Sequence, residues 1–307
     1  MQATAEVLQL ASATRPQVET RFDAEYGVYW AYMNPAPRPC FNLNLLQDLR
    51  TYVNSIVNGG GALVHQGQHH AVRYGVLASR NARIFSLGGD LALFREAIRT
   101  GNKAALLNYG EKCIENLYPW YCNCGVEMTT MSLVQGDALG GGFEAALSAT
   151  VLVAEESARL GFPEILFNLF PGMGAYSFLA RKIGRRGAER IITSGTIYSA
   201  RDLYDLGVVD VITPDGTGEM AVYSYIKRHA KQGNGRRAFE RARNEYDPVS
   251  RDELLRIVAI WADAALNLDE RDLKMMERLV RAQQRSTADG EPTTNNVVAL
   301  QAVGGGD

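Results

Sequence analysis

The sequence predicts an α/β fold in which strand–helix–strand units build a parallel sheet, followed by a helical C-terminal region. Three observations predict it. Short apolar runs alternate with segments of helical periodicity between Ala71 and Glu156, glycine-rich turns separate them, and the apolar spacing becomes helical from about Gly187 almost to the end. Alternation of strand and helix is typical of βαβ units, in which the helix carries the chain back to start a parallel strand.

The first elements precede this alternation. Aromatic and β-branched residues in Arg21–Pro35 predict a strand or hairpin, which three prolines at positions 35, 37 and 39 close. Asn42 is a candidate cap for a helix that runs through Ile56. The following run, GGGALVHQGQHH at positions 59–70, is predicted to be a loop.

The alternating part then follows. AVRYGVLASR at 71–80 predicts a strand buried on both faces, and residues 91–117 carry helical periodicity. MTTMSLVQG at 128–136 predicts a strand, GGFEAALSA a helix and TVLVAEE a third strand. The C-terminal helices are predicted at Met220–Lys231, Gly235–Asn244, Ser250–Leu266 and Glu270–Gln284.

This pattern divides the chain into four parts. We expect an N-terminal arm at 1–20, an α/β core at 21–215, a helical region at 216–285 and a tail at 286–307. The tail is polar and glycine-rich, so it has little to bury and is expected to be flexible.

Composition limits the classes of protein. With 307 residues, 46% of them hydrophobic, and a net charge of −2, the chain has the composition of a folded soluble protein. The near-neutral charge argues against nucleic acid as a partner. Four cysteines suggest a reducing compartment, and we expect a cytoplasmic protein without a secretion signal or a membrane-spanning helix.

Two glycine-rich turns are candidates for anion binding. Leu87-Gly88-Gly89-Asp90 follows one predicted strand, and Leu139-Gly140-Gly141-Gly142 lies between a strand and a helix. Glycine lets a ligand approach the backbone, and a helix N-terminus adds partial positive charge. One N–H from each turn would form an oxyanion hole, although a tight structural turn is the more common explanation of either turn alone.

Two carboxylates lie close to these turns in the sequence. Glu144 falls in the first turn of the helix that follows Gly141, and Glu164 lies among apolar residues in GFPEILFNLFPG. Each has a structural alternative, because Glu144 can complement the helix dipole and Glu164 can be a surface acid. An inward-facing carboxyl in such surroundings would have a raised pKa, as suits proton transfer near neutrality.

Other motifs point away from cofactors. Neither turn has the GxGxxG spacing of a dinucleotide site, and no GxxxxGK phosphate loop occurs. His65, His69 and His70 form an HxxxHH motif that is more typical of a surface loop than of a metal site, and the Cys122–Cys124 pair lacks further ligands. We therefore expect no metal and no resident cofactor.

Three segments together carry a resemblance to a known family. LVQGDALGGGFEAAL at 133–147, LGFPEILFNLFPGMGA at 160–175 and GAERIITSGTIYSARDLYDLGVVDVI at 187–212 resemble the crotonase (enoyl-CoA hydratase/isomerase) superfamily in content and spacing. The segments at 21–41, 84–94 and 253–283 resemble the diffusible signal factor synthases within it.

The resemblance implies a fold and an activity. The fold would be a crotonase spiral whose C-terminal helices pack across subunits in a homotrimer or dimer of trimers. The activity would remove water from a 3-hydroxyacyl group on acyl carrier protein and hydrolyse the cis-2-enoyl thioester to a fatty-acid signal. An ordinary enoyl-CoA hydratase or isomerase acting on a coenzyme A thioester stays open, as does a non-catalytic protein that binds a sensor histidine kinase.

By motif position, the resemblance also assigns residues. The oxyanion donors fall on the N–H groups of Leu87 and Gly141, and the acid pair on Glu144 and Glu164, with the choice of base left open. The remaining substrate contacts fall on Gly88, Gly140, Gly142, Met173, Trp261 and Leu279. Met173, Trp261 and Leu279 would line an acyl tunnel, for which plain core packing is an equal alternative.

Basic clusters at 181–190 and 227–243 are the last feature. Solvated helix faces explain most such clusters, but they would also suit an acidic carrier protein or a pantetheine phosphate.

Overall fold

The computed structural model describes residues 16–288, without the side chains of residues 279, 280 and 282–288. The strands are β1 (Val18–Asp23), β2 (Val28–Met33), β3 (Ala62–His65), β4 (Gln68–Ala71), β5 (Tyr74–Ser79), β6 (Ile84–Ser86), β7 (Thr129–Val134), β8 (Asp137–Leu139), β9 (Val151–Glu155), β10 (Arg159–Gly161), β11 (Ile197–Ser199) and β12 (Val211–Thr213). The helices are α1 (Leu43–Asn58), α2 (Leu91–Arg99), α3 (Lys103–Tyr121), α4 (Gly141–Leu147), α5 (Ala175–Ile183), α6 (Arg185–Ser194), α7 (Ala200–Asp205), α8 (Gly218–His229), α9 (Gly233–Tyr246), α10 (Arg251–Leu266) and α11 (Glu270–Ala288).

Two sheets form the framework. The larger has six strands in the order β1-β2-β5-β7-β9-β12, and every neighbouring pair from β2 to β12 is parallel. The smaller has the order β11-β10-β8-β6, in which β6, β8 and β10 are parallel. The parallel α/β architecture expected from the alternation of strands and helices is therefore confirmed.

Apolar side chains cover both faces of the larger sheet. One face packs against α1 and α3, and the other includes Val222 and Ile226 of α8. Helix α1 begins as expected at Asn42, whose side chain accepts a hydrogen bond from the Leu45 N–H at 2.9 Å. Burying a leucine such as Leu45 contributes about 2 kcal/mol, so the apolar face fixes this helix on the sheet.

The smaller sheet positions the two glycine-rich turns. Strand β6 leads into residues 87–90, and β8 leads directly into α4 through Gly140. Because β6 and β8 are parallel neighbours, their carboxyl ends lie at the same edge of the sheet. The two glycine-rich turns therefore lie next to each other at this edge of the smaller sheet.

Three expectations about elements were wrong. The segment at 59–70 is not a loop, because β3 and β4 pair as an antiparallel hairpin. Its two turn residues, Gln66 and Gly67, both have positive φ, the geometry of a tight hairpin turn. Residues 91–117 form two helices rather than one, since Gly101 has φ +63° and Asn102 caps α3. Strands β11 and β12 lie within the expected α/β core at 21–215, although the apolar spacing from about Gly187 onward had indicated helix.

The predicted ends of the chain are only partly described. Strand β1 begins at Val18, inside the expected arm 1–20, and residues 1–15 lie outside the described residues. Of the expected tail 286–307, the first three residues continue the backbone of α11 and the rest lie outside. Within residues 16–288, no helix combines the length and the apolar character needed to cross a membrane.

Candidate active site

The first glycine-rich turn is fixed by an earlier part of the chain. The Leu87 N–H donates to the Pro39 carbonyl at 2.8 Å, and the Phe41 N–H donates to the Gly88 carbonyl at 2.8 Å. The assignment of Leu87 as an oxyanion donor is therefore wrong, because its N–H already has an acceptor. The Gly88 N–H contacts the hydroxyl of Ser86 at 3.3 Å.

The next N–H along the turn is the available one. Gly89 pairs with Phe41 in a parallel bridge, while Gly141 is the first residue of α4, where helix N–H groups lack intrahelical partners. Among the hydrogen bonds of residues 16–288, neither of these two N–H groups has an acceptor. A Cβ built on Gly141 would lie 3.4 Å from the Gly89 nitrogen, so the two amides are adjacent. Gly89 replaces Leu87 as the partner of Gly141.

Glu144 lies in the first turn of α4, three residues after Gly141. Its side chain is buried, at 1% exposure, and its Oε1 accepts hydrogen bonds from the N–H groups of Met173 at 2.7 Å and Ala175 at 3.0 Å. Burial raises the pKa of Glu144 to about 7, although the two N–H donors lower it in part. The carboxyl is therefore held in one orientation and titrates near neutrality.

Glu164 approaches from the other side. It begins a short 3₁₀ turn at Glu164–Phe167, and a Cβ built on Gly140 would lie only 2.4 Å from its Oε1. The Oε2 atom is buried and has no hydrogen-bond partner among the described residues. Burial, and after it the charge of the nearby Glu144, raise the pKa of this carboxyl to about 8. The pair therefore holds one proton near neutrality.

Gly140 makes this approach possible. Its φ is +53°, a region that favours glycine, and any side chain there would collide with Glu164. Gly142, which follows in α4, packs against the carbonyl of Ser86. Because Gly140 and Gly142 have no side chains, the backbone of the second turn can approach the Glu164 carboxyl and the Ser86 carbonyl closely.

One cavity joins these groups. Both glycine-rich turns, Glu144 and Glu164 line it, together with Met173 and Trp261. The rest of its wall is almost entirely apolar and comes largely from α1 and α3. Its members there are Leu46, Leu49, Tyr52, Val53, Tyr109, Cys113, Asn116, Leu117 and Trp120. An apolar chain attached to a carbonyl fits this arrangement.

The structure brings together most, but not all, of the predicted site. Met173 and Trp261 lie in the cavity wall, whereas the side chain of Leu279 lies outside the described residues. The wall from α1 and α3 was missed. Leu46, Leu49 and Val53 have helical spacing, which indicates an apolar face but does not distinguish packing from a cavity.

The remaining candidates lie elsewhere. His65 and His70 are on the β3–β4 hairpin, where both rings contact Phe22. Three cysteines are buried and Cys122 is half-buried, and in residues 16–288 no group of three or more His, Cys, Asp or Glu side chains could hold a metal ion.

Known proteins share this architecture. An enoyl-CoA hydratase from Bacillus halodurans superposes with a TM-score of 0.72 at 16% identity, covering 85% of this chain and 99% of that one. This likeness confirms the crotonase fold.

Sequence relatives agree with it. The 2,3-dehydroadipyl-CoA hydratase of Escherichia coli is 35% identical over 49% of this chain and 56% of its own length. The peroxisomal bifunctional enzyme of Danio rerio is 38% identical over 36% of this chain, which spans only 16% of that relative. The family model described as enoyl-CoA hydratase/isomerase matches residues 55–263. The chain belongs to the enoyl-CoA hydratase/isomerase family.

Proposed function

We propose that the protein removes water from a 3-hydroxyacyl thioester carried on acyl carrier protein and hydrolyses the resulting cis-2-enoyl thioester, releasing an unsaturated fatty acid that acts as a signal. One observation carries the chemistry: two carboxyls with raised pKa values lie in an apolar cavity beside two backbone N–H groups that have no hydrogen-bond partner in residues 16–288. The resemblance of the sequence to signal synthases supports the choice of substrate and product.

The amides provide the first part of catalysis. Removing the proton α to a thioester carbonyl places negative charge on the carbonyl oxygen. The N–H groups of Gly89 and Gly141 are adjacent and would both donate to that oxygen. Loss of one such donor typically costs about 3 kcal/mol of transition-state stabilisation.

The acids move the protons. In the free protein, Glu144 carries the negative charge, because two N–H groups stabilise it, and Glu164 keeps the proton. During dehydration, one carboxylate takes the α-proton and the other acid protonates the departing 3-hydroxyl, so the C–O bond breaks and water leaves. Exchange of the α-proton with deuterated solvent in Glu144→Gln and Glu164→Gln variants would assign the base.

Hydrolysis can use the same groups. Water activated by a carboxylate would attack the thioester carbonyl, and the amides would hold the tetrahedral oxyanion. Collapse would release the fatty acid and the carrier thiol. This route needs no covalent nucleophile.

The family match and the hydratase relative favour a second candidate, an ordinary enoyl-CoA hydratase or isomerase. Both candidates use the same acids and amides. They differ in whether the thioester is released as a free acid. A non-catalytic binder of a sensor histidine kinase would need neither acid, so replacement of both by Ala would leave its binding intact.

The basic clusters bear on the carrier. Arg181 pairs with Glu253, and Lys182 pairs with Asp210, so part of the first cluster has a structural role. We propose that the second cluster, through Arg236 and Arg237 on α9, docks an acidic carrier protein. Charge reversal at both positions should raise KM for the carrier-bound substrate and leave KM for the coenzyme A thioester unchanged.

The proposed assembly is a homotrimer or a dimer of trimers. Its support is the exposed apolar side chains of the C-terminal helices, Phe239, Tyr246 and Ile260. Light scattering would measure the mass in solution.

The deciding experiment uses 3-hydroxydodecanoyl groups on acyl carrier protein and on coenzyme A, with mass spectrometry of the products. The proposal expects a free cis-2-dodecenoic acid, released faster from the carrier protein. An unsaturated thioester that is never released would favour the hydratase, and a saturated 3-hydroxy acid alone would leave only a thioesterase. The Glu144→Gln/Glu164→Gln double variant is the control for background hydrolysis.

A further inference from the structure

The cavity wall from α3 contains two buried polar atoms that the proposed reaction does not use. The Oδ1 of Asn116 and the Nε1 of Trp120 have no hydrogen-bond partner among the described residues. Asn116 is 9% exposed and Trp120 is 4% exposed, and both side chains line the cavity. A buried polar atom without a hydrogen-bond partner is unfavourable, so the two atoms point to a ligand.

The position of these atoms places them beyond the acids. Cys113, one turn before Asn116 on α3, is close enough to Glu144 for the carboxylate to raise its thiol pKa, although burial is the larger cause. Trp120 lies seven residues after Cys113, about 10 Å further along the helix axis. Its ring packs against Gly75 and against the ring of Tyr52, and Tyr52 also lines the cavity. The distal end of the cavity is defined by Leu49, Tyr52, Val53, Asn116 and Trp120.

The orientation of the Asn116 amide is determined by its neighbours. Its Nδ2 donates to the carbonyls of Leu46 at 3.1 Å and Lys112 at 2.9 Å, so the nitrogen is fully used and the oxygen faces away from both. The distal end therefore offers one acceptor, the Asn116 oxygen, and one donor, the Trp120 N–H. Asn116 and Trp120 are four positions apart on α3, which places their side chains on one face of the helix.

The Asn116 oxygen and the Trp120 N–H together determine which chemical group at the end of an acyl chain can pair with this part of the cavity. A methyl terminus would satisfy neither, and a carboxylate cannot donate to the Asn116 oxygen. A hydroxyl both donates and accepts, so it is the smallest group that pairs with both atoms. We infer that the distal end of the cavity binds a hydroxyl group near the end of the acyl chain, so that the substrate is a thioester oxygenated at two places. This inference rests on the proposed function only in that an acyl chain occupies the cavity.

Binding of free fatty acids tests this inference without requiring turnover. Calorimetric titration would compare ω-hydroxy acids with their methyl-terminated counterparts in an even-numbered series from octanoic to tetradecanoic acid. At the best length, the hydroxy acid is expected to bind about tenfold more tightly. In an apolar site without partners the hydroxyl would weaken binding, so equal or weaker binding of the hydroxy acid throughout the series would overturn the inference.

Two variants assign the effect to these residues. Trp120→Phe removes an N–H that has no hydrogen-bond partner in residues 16–288 and keeps an aromatic ring in the core, so the fold should be retained with some loss of stability and the preference for the hydroxy acid should largely disappear. Asn116→Leu should also remove it, but this change breaks two hydrogen bonds to the backbone. The matched control is Trp261→Phe, the same replacement at the part of the cavity wall that α10 contributes, which should leave the preference unchanged. A preference that persists in Trp120→Phe would mean that this donor does not bind the hydroxyl.

Turnover separates this inference from the proposed function. If hydroxy acids bind preferentially but no 3-hydroxyacyl thioester is dehydrated, the proposed function fails and the distal site stands. If thioesters with and without the terminal hydroxyl are processed equally well, and the acids bind equally well, the function stands and the distal site fails.

Discussion

Helix α5 donates hydrogen bonds to two carboxyls, those of Glu144 and Glu253, whose pKa values are shifted in opposite directions. At its start, the N–H of Ala175 donates to Glu144, whose pKa is raised. Further along the helix, the Ser177 hydroxyl and the Arg181 guanidinium donate hydrogen bonds to Glu253 of α10 at 2.6 and 3.0 Å. Burial alone would raise the pKa of Glu253, but these hydrogen bonds and the guanidinium charge lower it overall.

The surroundings of Glu144 and Glu164 differ from those of Glu253 in whether a positive charge lies next to the carboxyl. Within residues 16–288, no cation contributes to the pKa of Glu144 or Glu164, and only backbone N–H groups stabilise their charge. Glu253 has a guanidinium and so remains ionised, which makes it a structural ion pair. Desolvation without a counter-charge is therefore the property on which the proposed role of Glu144 and Glu164 in proton transfer rests.

The largest effect expected from this contrast is on catalysis. Glu144→Gln or Glu164→Gln should lower kcat for dehydration by about a thousandfold, because general acid–base catalysis contributes on that order. Glu253→Gln is the matched control, and it should leave kcat unchanged below its unfolding temperature. A comparable loss of kcat in Glu253→Gln would remove the distinction between the two groups.

The backbone around the acids allows a second comparison. Gly140→Ala should lower kcat by about a hundredfold, since the new Cβ would lie only 2.4 Å from Glu164 Oε1 and displace that carboxyl. Gly101→Ala is the control, because Gly101 also has positive φ, at +63°, but has open space around it. Both variants should lose about 1 kcal/mol of stability from backbone strain, and only Gly140→Ala should lose activity. Chemical denaturation and initial rates measure the two effects separately.

The free energy of unfolding should also separate the two groups. The folded-state pKa of Glu164 is about 8, above its ordinary value of 4.5, so the unfolded chain ionises first as pH rises. The acid form of Glu164 therefore fits the fold fully below about pH 4.5, and stability is lost as the pH rises toward 8. Glu164→Gln should thus be more stable than the parent by roughly 4 kcal/mol at pH 8, with the gain vanishing near pH 4.

Glu253→Gln should show the reverse sign. Its lowered pKa means that the ionised carboxylate stabilises the fold at neutral pH, a contribution that is lost as the pH falls through the folded-state pKa. The variant should be less stable than the parent at pH 8, and the difference should shrink in acid. Urea titrations at both pH values test the pair, and a gain in stability for both variants at pH 8 would contradict the contrast.

The smallest effect is on the pH dependence of kcat/KM. One acid must be ionised and the other protonated, so the profile should be a narrow bell with limbs near pH 7 and pH 8. Activity should fall about tenfold for each unit beyond either limb. A plateau that extends below pH 6 would mean that the acids titrate as ordinary exposed carboxyls do.

Much of this arrangement was predictable from local sequence. Glu144 follows a strand and a glycine-rich turn in an order that only a strand-to-helix connection explains, and Asn42 identifies the start of α1. The oxyanion donor was not predictable to the residue. Whether Leu87 or Gly89 offers its N–H depends on pairing with Pro39 and Phe41, more than forty residues earlier.

Other failures have a similar cause. The spacing of Leu46, Leu49 and Val53 predicts an apolar face, but whether that face meets another side chain or a cavity depends on α3. The hairpin at 62–71 was overlooked because its strands are short and its turn residues, Gln66 and Gly67, are not the usual Asn-Gly pair. Long-range packing, rather than local preference, determined each of these features.

The two backbone hydrogen bonds from Leu87 to Pro39 and from Phe41 to Gly88 have a consequence for engineering the enzyme. They couple the turn that carries the Gly89 amide, a proposed oxyanion donor, to the short connection from β2 to α1, and α1 begins only two residues after Phe41. Insertions or deletions between Asn34 and Arg38 would therefore change the reaction rate without altering any side chain that lines the cavity. A library that varies the length of this connection would be a direct way to retune the catalyst.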